Sequence, residues 1–275
     1  MSTPLRVSAI SFLNTVPLMY GFEYPPLRDE LRSRFDVHYT LPAQCADELR
    51  AGTSDIGIIP VAAFTEIPHL WIIPGVSIAS KRQVRSILLV SKRDLRDVRS
   101  VATDNSSRTS VALLKVLFRN RFGASPEYVP TAPDLRRMLA KHDAALLIGD
   151  PALQIDITKS RYQIFDLAEE WNAMTGLPFV FAFWAVLESA RHQALESSTV
   201  DAFQKSRDAG MQNVRGIANR SALKYGVSPE LALEYLTRHI DYSLDTENLA
   251  GLKSFFHLAQ TVGALTEAPP IRFLY

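Results

Sequence analysis

Leu5-Arg6-Val7-Ser8-Ala9-Ile10 running into Ser11-Phe12-Leu13-Asn14-Thr15-Val16-Pro17-Leu18 is the stretch on which the fold turns. An apolar run of strand length gives way to a segment carrying an amide and hydroxyls, and then to a helical pattern. A strand that hands over directly to a helix opens a βαβ unit, and open α/β sheets bind ligands in the crevice beyond the carboxyl ends of their strands. Helix N-termini there offer backbone N–H groups to anions. The segment points to a small anionic organic ligand, with Ser11, Asn14 and Thr15 as candidate contacts. Capping of a short helix by Asn14 or Thr15 is the competing reading, since both residue types satisfy orphan N–H groups.

Outward from this segment, Phe35 to Thr40 and Asp55 to Ile59 read as the next strands, with helices around Pro17 to Tyr20 and Gln44 to Arg50 between them. Ala51-Gly52-Thr53-Ser54-Asp55 supplies a helix stop and a tight entry to the third strand. A short helix from Val61 to Glu66 follows, then a strand from Ser86 to Ser91. The pattern restarts with a strand at Ser100 to Thr103, a helix from Ser107 to Arg121, a strand at Glu127 to Val129, a helix near Asp134 to Lys141 and the apolar run Ala144 to Ile148. The chain returns along Phe179 to Val186 and then turns helical: Val200 to Ala218, a helix opened by Ser228-Pro229-Glu230 and running to His239, and Thr246 to Leu265. The expected organisation is a discontinuous α/β domain, residues 1–89 plus 187–275, with a second α/β domain, residues 90–186, inserted between two crossover strands that form a hinge. Ligands commonly sit between domains, and closure of such a cleft expels water.

At 275 residues the chain can bury two medium-sized cores. Hydrophobic residues at 47% and charged residues at 21% are ordinary for a folded globular protein, which sets aside a disordered or fibrous chain. A net charge of +1, from 30 basic and 29 acidic residues spread along the chain, gives no surface for nucleic acid. The basic stretch Lys81 to Arg99 alternates with apolar and acidic residues and reads as a solvated strand edge. Apolar runs such as Leu177 to Leu187 are too short to cross a membrane and read as buried strands. Met1-Ser2-Thr3-Pro4 carries no secretory signal and the single Cys45 excludes an internal disulfide, so a cytoplasmic protein is expected, with Cys45 a small half-buried side chain. Homo-oligomerisation stays open.

Asp104-Asn105-Ser106-Ser107-Arg108-Thr109-Ser110 stands between a strand and an apolar-periodic helix and forms a second candidate anion site. Hydroxyls at Ser106, Ser107 and Thr109, N–H groups of the helix start and the charge of Arg108 suit a carboxylate. Capping accounts for only one of these residues. Gly149-Asp150 ends the run Leu146-Leu147-Ile148, where a backbone without Cβ admits a ligand. A turn, with Asp150 capping the helix entry before Pro151, explains the same dipeptide equally well. Thr175-Gly176 is a further place where backbone groups can face the cleft. Ser86 has no nucleophile elbow and no adjacent base, so chemistry alone does not single it out. The 6 histidines lack metal-ligand spacing, and there is no Gly-rich nucleotide loop, P-loop or Cys/His cluster. No metal site and cofactor-free chemistry are expected.

Ser11-Phe12-Leu13-Asn14-Thr15-Val16-Pro17-Leu18, Ala51-Gly52-Thr53-Ser54-Asp55, Val84-Arg85-Ser86, Ser106-Ser107-Arg108-Thr109-Ser110, Leu147-Ile148-Gly149-Asp150 and Thr175-Gly176-Leu177-Pro178-Phe179 follow in order. As a set they resemble the menaquinone-biosynthesis family of chorismate dehydratases over nearly the whole chain. That family has Tyr as well as Phe at the position of Phe12. The resemblance implies a two-domain α/β fold similar to type II periplasmic binding proteins. It also implies a lyase of the futalosine route that eliminates water from chorismate to give 3-[(1-carboxyvinyl)oxy]benzoate (3-enolpyruvylbenzoate). It assigns catalysis to Asn14 and Ser86 and substrate binding to the serine and threonine cluster and the Gly149 turn. Losing water aromatises the ring, and the proton removed lies on the ether-bearing carbon, acidified through conjugation to the ring carboxylate. Asn and Ser are poor bases at neutral pH, so the expected acceptor is the substrate's own enolpyruvyl carboxylate, held by Asn14 and Ser86. Two readings compete: a non-catalytic cytoplasmic solute-binding or sensor domain of the same architecture, and the related 1,4-dihydroxy-6-naphthoate synthase, whose family carries a different N-terminal motif and a catalytic histidine.

Overall fold

The computed structural model describes residues 3–275. β1 (Leu5–Ile10) leads through a 3-10 turn (Leu13–Thr15) into α1 (Val16–Glu23), followed by α2 (Arg28–Arg34), β2 (Phe35–Thr40), α3 (Pro42–Ala51) and β3 (Ile56–Pro60). After a second 3-10 turn (Val61–Thr65) and β4 (Leu70–Ser80), the chain crosses to β5 (Ile87–Ser91), β6 (Ser100–Asp104), α4 (Arg108–Leu117), β7 (Glu127–Thr131) and α5 (Leu135–Lys141). Next come β8 (Ala144–Ile148), α6 (Gly149–Leu153), β9 (Gln163–Asp166) and α7 (Leu167–Thr175). β10 (Phe179–Leu187) brings the chain back, and α8 (Arg191–Glu196), α9 (Thr199–Gln212), α10 (Val214–Tyr225), α11 (Pro229–Glu234), a π-helical turn (Tyr235–His239) and α12 (Thr246–Thr261) follow.

The strands form two five-stranded sheets, ordered β2-β1-β3-β10-β4 and β7-β6-β8-β5-β9. The orders are equivalent. β1 pairs parallel with β2 and β3, as β6 does with β7 and β8, while β10 and β5 are the antiparallel strands. These two adjoin the crossings between sheets, residues 81–86 and 176–178. β3, β5 and β8 are buried along their whole length, which is why they read as unbroken apolar runs rather than alternating ones.

The strand Phe179–Leu187, which the sequence reading leaves with the inserted segment, pairs with β3 and β4 in the first sheet, and β5 pairs wholly within the second. A run buried on both faces carries no local mark of which sheet it joins. β4 escapes the sequence reading because Pro74-Gly75 interrupts its apolar pattern. Proline is tolerated at an edge or bulge, and β4 is the edge strand, with register shifts against β10 at Val180/Ala182 and Phe183/Ala185. The C-terminal chain covers part of that edge: Ile72 N–H donates to the Arg272 carbonyl at 2.7 Å and Leu274 N–H to the Ile72 carbonyl at 2.9 Å. The single helix expected from Val200 to Ala218 divides at Asn213 into α9 and α10.

Helix α1, which follows the Asn14 segment, is seated by aromatic and glycine contacts. Phe22, Phe35, Phe203 and Trp184 meet edge to face with centroids 4.7–5.7 Å apart, a geometry that adds about 1 kcal/mol per pair to burial. Gly210 lets α9 touch α1: a Cβ there would lie 2.0 Å from the Pro17 carbonyl oxygen. Cys45 is fully buried rather than half-buried, with its thiol donating to the Ser8 carbonyl at 3.3 Å and burial pushing its pKa up to about 12. It is a protonated packing residue beneath β1. No helix among the described residues is long and apolar enough to cross a membrane.

Candidate active site

The carboxyl ends of β1, β3, β4, β6 and β8 open onto one cleft. Ile10, Phe12, Pro42, Pro60, Ile78, Phe181 and Ile148 give it an apolar lining, and Asn14, Ser86, Ser106, Ser107, Thr109 and Ser110 supply its polar groups. Among the described residues this lining holds no charged side chain and no histidine. An anion bound here meets N–H and O–H dipoles.

Asn14 owes its position to the 3-10 turn that follows the extended Phe12 (φ −113°, ψ 159°). Thr15, 1% exposed behind it, donates its hydroxyl to Asn14 Oδ1 at 3.3 Å. Asn14 shares the lining with Ser86, whose Oγ accepts the hydroxyl of the buried Tyr235 at 2.8 Å. Burial dominates at Tyr235 and raises its pKa, so the phenol keeps its proton.

Ser86 is fixed through its backbone. The buried carboxylate of Asp166, at the N-cap of α7, accepts N–H groups from Val84 at 3.0 Å and Arg85 at 2.5 Å as well as from Ala168 at 3.0 Å. Arg85 stands at φ +67° and donates its guanidinium to the Ile155 carbonyl at 2.5 Å, while the Ser86 carbonyl accepts Gly149 N–H at 2.8 Å. The crossing segment is thereby held to α6 and α7, and the serine hydroxyl meets the buried Tyr235.

On the opposite wall Ser107 caps α4, its Oγ accepting Ser110 N–H at 3.3 Å, and Thr109 Oγ1 accepts Ala62 N–H at 3.1 Å. Both hydroxyls engage N–H groups through lone pairs, which leaves their own protons for an acceptor in the cleft. Ser106 differs, because its N–H and O–H both go to Asp104 Oδ1, at 2.9 and 2.7 Å. The first-turn N–H groups of α4 add a positive dipole end to this wall.

Several sequence candidates stand outside the lining. Arg108 ion-pairs with Glu66 at 2.6 Å and Asp47 at 3.1 Å, two carboxylates that neutralise the charge expected to serve the ligand. Asp150 Oδ1 accepts the Leu13 N–H at 3.2 Å, a bond between the two halves, and burial pushes its pKa up to about 6. Ser11 donates its N–H to the Thr40 carbonyl at 3.0 Å, and Thr15 acts through Asn14. Gly149, by contrast, does line the cleft: it begins α6 at φ +63°, where a Cβ would lie 3.0 Å from the Phe12 ring. Its bare backbone admits Phe12 from the other wall. Gly176 ends α7, N–H to the Asn172 carbonyl at 2.8 Å, and with Thr175 stays out of the lining. Tyr235 is the polar residue that the sequence does not flag, since a buried tyrosine at helical spacing reads as core. Among the described residues no group of three or more His, Cys, Asp or Glu is placed to hold a metal ion.

A profile of the family described as menaquinone biosynthesis matches residues 5–261. The chorismate dehydratase of Thermus thermophilus is 31% identical over 249 residues, covering 84% of this chain and 89% of that one. Among solved structures, protein AF1704 of Archaeoglobus fulgidus superposes with a TM-score of 0.74 at 17% identity, covering 95% of this chain and 98% of that one. The periplasmic aliphatic sulphonate binding protein SsuA of Escherichia coli superposes with a TM-score of 0.68 at 15% identity, covering 100% and 94%. The two structural likenesses speak for the fold, a two-sheet α/β architecture of the periplasmic-binding-protein kind. With the profile matched from β1 through α12 and a relative of this identity over most of its length, the chain belongs to the menaquinone-biosynthesis family.

Proposed function

We propose that the protein is a chorismate dehydratase, converting chorismate to 3-enolpyruvylbenzoate and water in the cytoplasm, on the futalosine route to menaquinone. The observation that carries this reading is the cleft itself: an apolar lining with O–H and N–H donors on both walls and no charged side chain. Such a site suits a dianion whose ring becomes flat and aromatic in the product, with its carboxylates met by the donors. Membership of the family and the activity named for the Thermus thermophilus relative support the same substrate. A catalytic histidine of the kind used by the related naphthoate synthase has no counterpart in the lining.

In this mechanism the N-terminus of α4, with Ser107 and Thr109, holds a substrate carboxylate through dipoles. Asn14 and Ser86 orient the enolpyruvyl arm so that its carboxylate removes the proton from the ether-bearing carbon. The electron pair of that C–H bond delocalises toward the ring carboxylate, whose growing charge preorganised donors stabilise. The neighbouring C–O bond then breaks, and the departing hydroxide leaves with the abstracted proton as one water. A base carried by the substrate needs only to be held in reach, and effective molarities of about 10⁵ M show how far that goes. The two sheets with their helices act as two domains hinged at residues 81–86 and 176–178. Leu13–Asp150, Ala62–Thr109 and Arg108–Glu66 are the bonds of the closed form.

The second reading, binding without turnover, draws on the same fold and on the binding role in the name of SsuA. Purified protein incubated with chorismate separates the two. Loss of the diene absorbance with appearance of the aromatic enolpyruvyl ether is expected; saturable binding with unchanged chorismate overturns the dehydratase.

A further inference from the structure

Tyr235 belongs to none of the sequence motifs, yet it holds Ser86, one of the two residues assigned to the chemistry. It opens the π-helical turn that ends the helix begun at Pro229. Turns of this kind re-aim side chains and recur at functional positions. Its ring is 1% exposed, and its hydroxyl donates to Ser86 Oγ at 2.8 Å across 149 residues of sequence.

A hydroxyl has one proton to give. The Tyr235 proton goes to Ser86, and Ser86, engaged by Tyr235 as an acceptor, directs its own proton into the cleft it lines. We infer that Tyr235 is a positioning residue for dehydration: its buried hydrogen bond makes Ser86 a one-way hydrogen-bond donor to an anionic oxygen of the substrate. The inference rests on the dehydratase reading of the cleft. It assigns Ser86 no part in accepting the proton from carbon, and it makes the phenol act through Ser86 rather than on the substrate.

Tyr235→Phe removes the hydroxyl and keeps the ring. On chorismate its kcat should fall about 10- to 100-fold with KM changed less than about 3-fold, as for loss of alignment without loss of binding. Adding Tyr235→Phe to Ser86→Ala should change kcat by less than about 2-fold, because the phenol has no other route to the reaction. Wild-type kcat in Tyr235→Phe, or losses that add fully in the double variant, overturns the inference. Ser86→Thr gives an answer even if Tyr235→Phe does not fold. It keeps the hydroxyl and both hydrogen bonds, and should stay within about 10-fold of wild type while Ser86→Ala loses about 100-fold or more. Equal losses in those two variants also overturn it. Wild-type protein that leaves chorismate unchanged refutes the dehydratase reading, and that result is read in the same assay before any variant.

Discussion

Residues 11–15 after β1 and residues 105–110 after β6 occupy the same place in two sheets of equivalent strand order, and they put their polar atoms to different use. After β1, Asn14 Oδ1 accepts the hydroxyl of the buried Thr15, just as Ser86 in the same lining accepts that of the buried Tyr235. After β6, Ser107 and Thr109 are tied through lone pairs to backbone N–H groups and keep their protons for a ligand. The local backbone differs in the same sense. α4 begins regularly behind a side-chain cap, whereas the turn before α1 has none. Topology supplies the location and side-chain partners decide the role: under the proposed function, the first wall would fix geometry and the second would hold charge.

Variants on each wall should therefore fail in different ways. Asn14→Ala carries the largest expected effect, a fall in kcat of about 100-fold or more with KM within a few-fold of wild type in steady-state assays with chorismate. Ser107→Ala removes a donor to a charged group, so KM should rise about 10-fold with kcat nearly unchanged. Loss of the cap also costs about 1 kcal/mol, read by denaturant unfolding.

Asp150 links the second half to the turn that carries Asn14 and has the next effect. Its pKa of about 6 lies above the ordinary 3.8, chiefly through burial, with the Leu13 N–H and Lys224 pulling the other way. The folded protein thus holds this proton more tightly than the unfolded chain does. Its contribution to stability is fully present below about pH 4 and is lost as pH rises through about 6, on the order of 1–2 kcal/mol for a partly exposed group. Asp150→Asn removes the titration, so the variant should gain stability relative to wild type between pH 4 and pH 7 in unfolding measurements. A difference that does not vary with pH contradicts the assignment. Arg108→Ala should matter least. Its ion pairs are a third exposed, a setting worth about 0–1 kcal/mol, and KM should move less than about 3-fold if the charge serves Glu66 and Asp47 rather than the ligand.

Most of the sheet strands were legible in the sequence for one reason: β3, β5, β8 and β10 are buried on both faces and bounded by turn residues, so a local window contains all the information needed to recognise them. β4 was not, because what makes Pro74 tolerable is an edge position and a cover from Arg272 and Leu274, both set by chain far away. The same division runs through the site. Asn14, Ser107, Thr109 and Gly149 stand at strand ends, where topology alone puts them at a cleft. Arg108 looked like a ligand because Asp47 and Glu66 are distant in sequence, and Tyr235 looked like core because its partner lies 149 residues away.

Binding and conversion of chorismate, measured separately under single-turnover conditions in Asn14→Ala and Ser107→Ala, bear on the division of labour between the walls more closely than any other experiment. Near-wild-type Kd with conversion slowed about 100-fold is expected for Asn14→Ala, and weakened Kd with near-wild-type conversion at saturation for Ser107→Ala. Loss of binding in Asn14→Ala, or the same partition between Kd and rate in both variants, would refute that division.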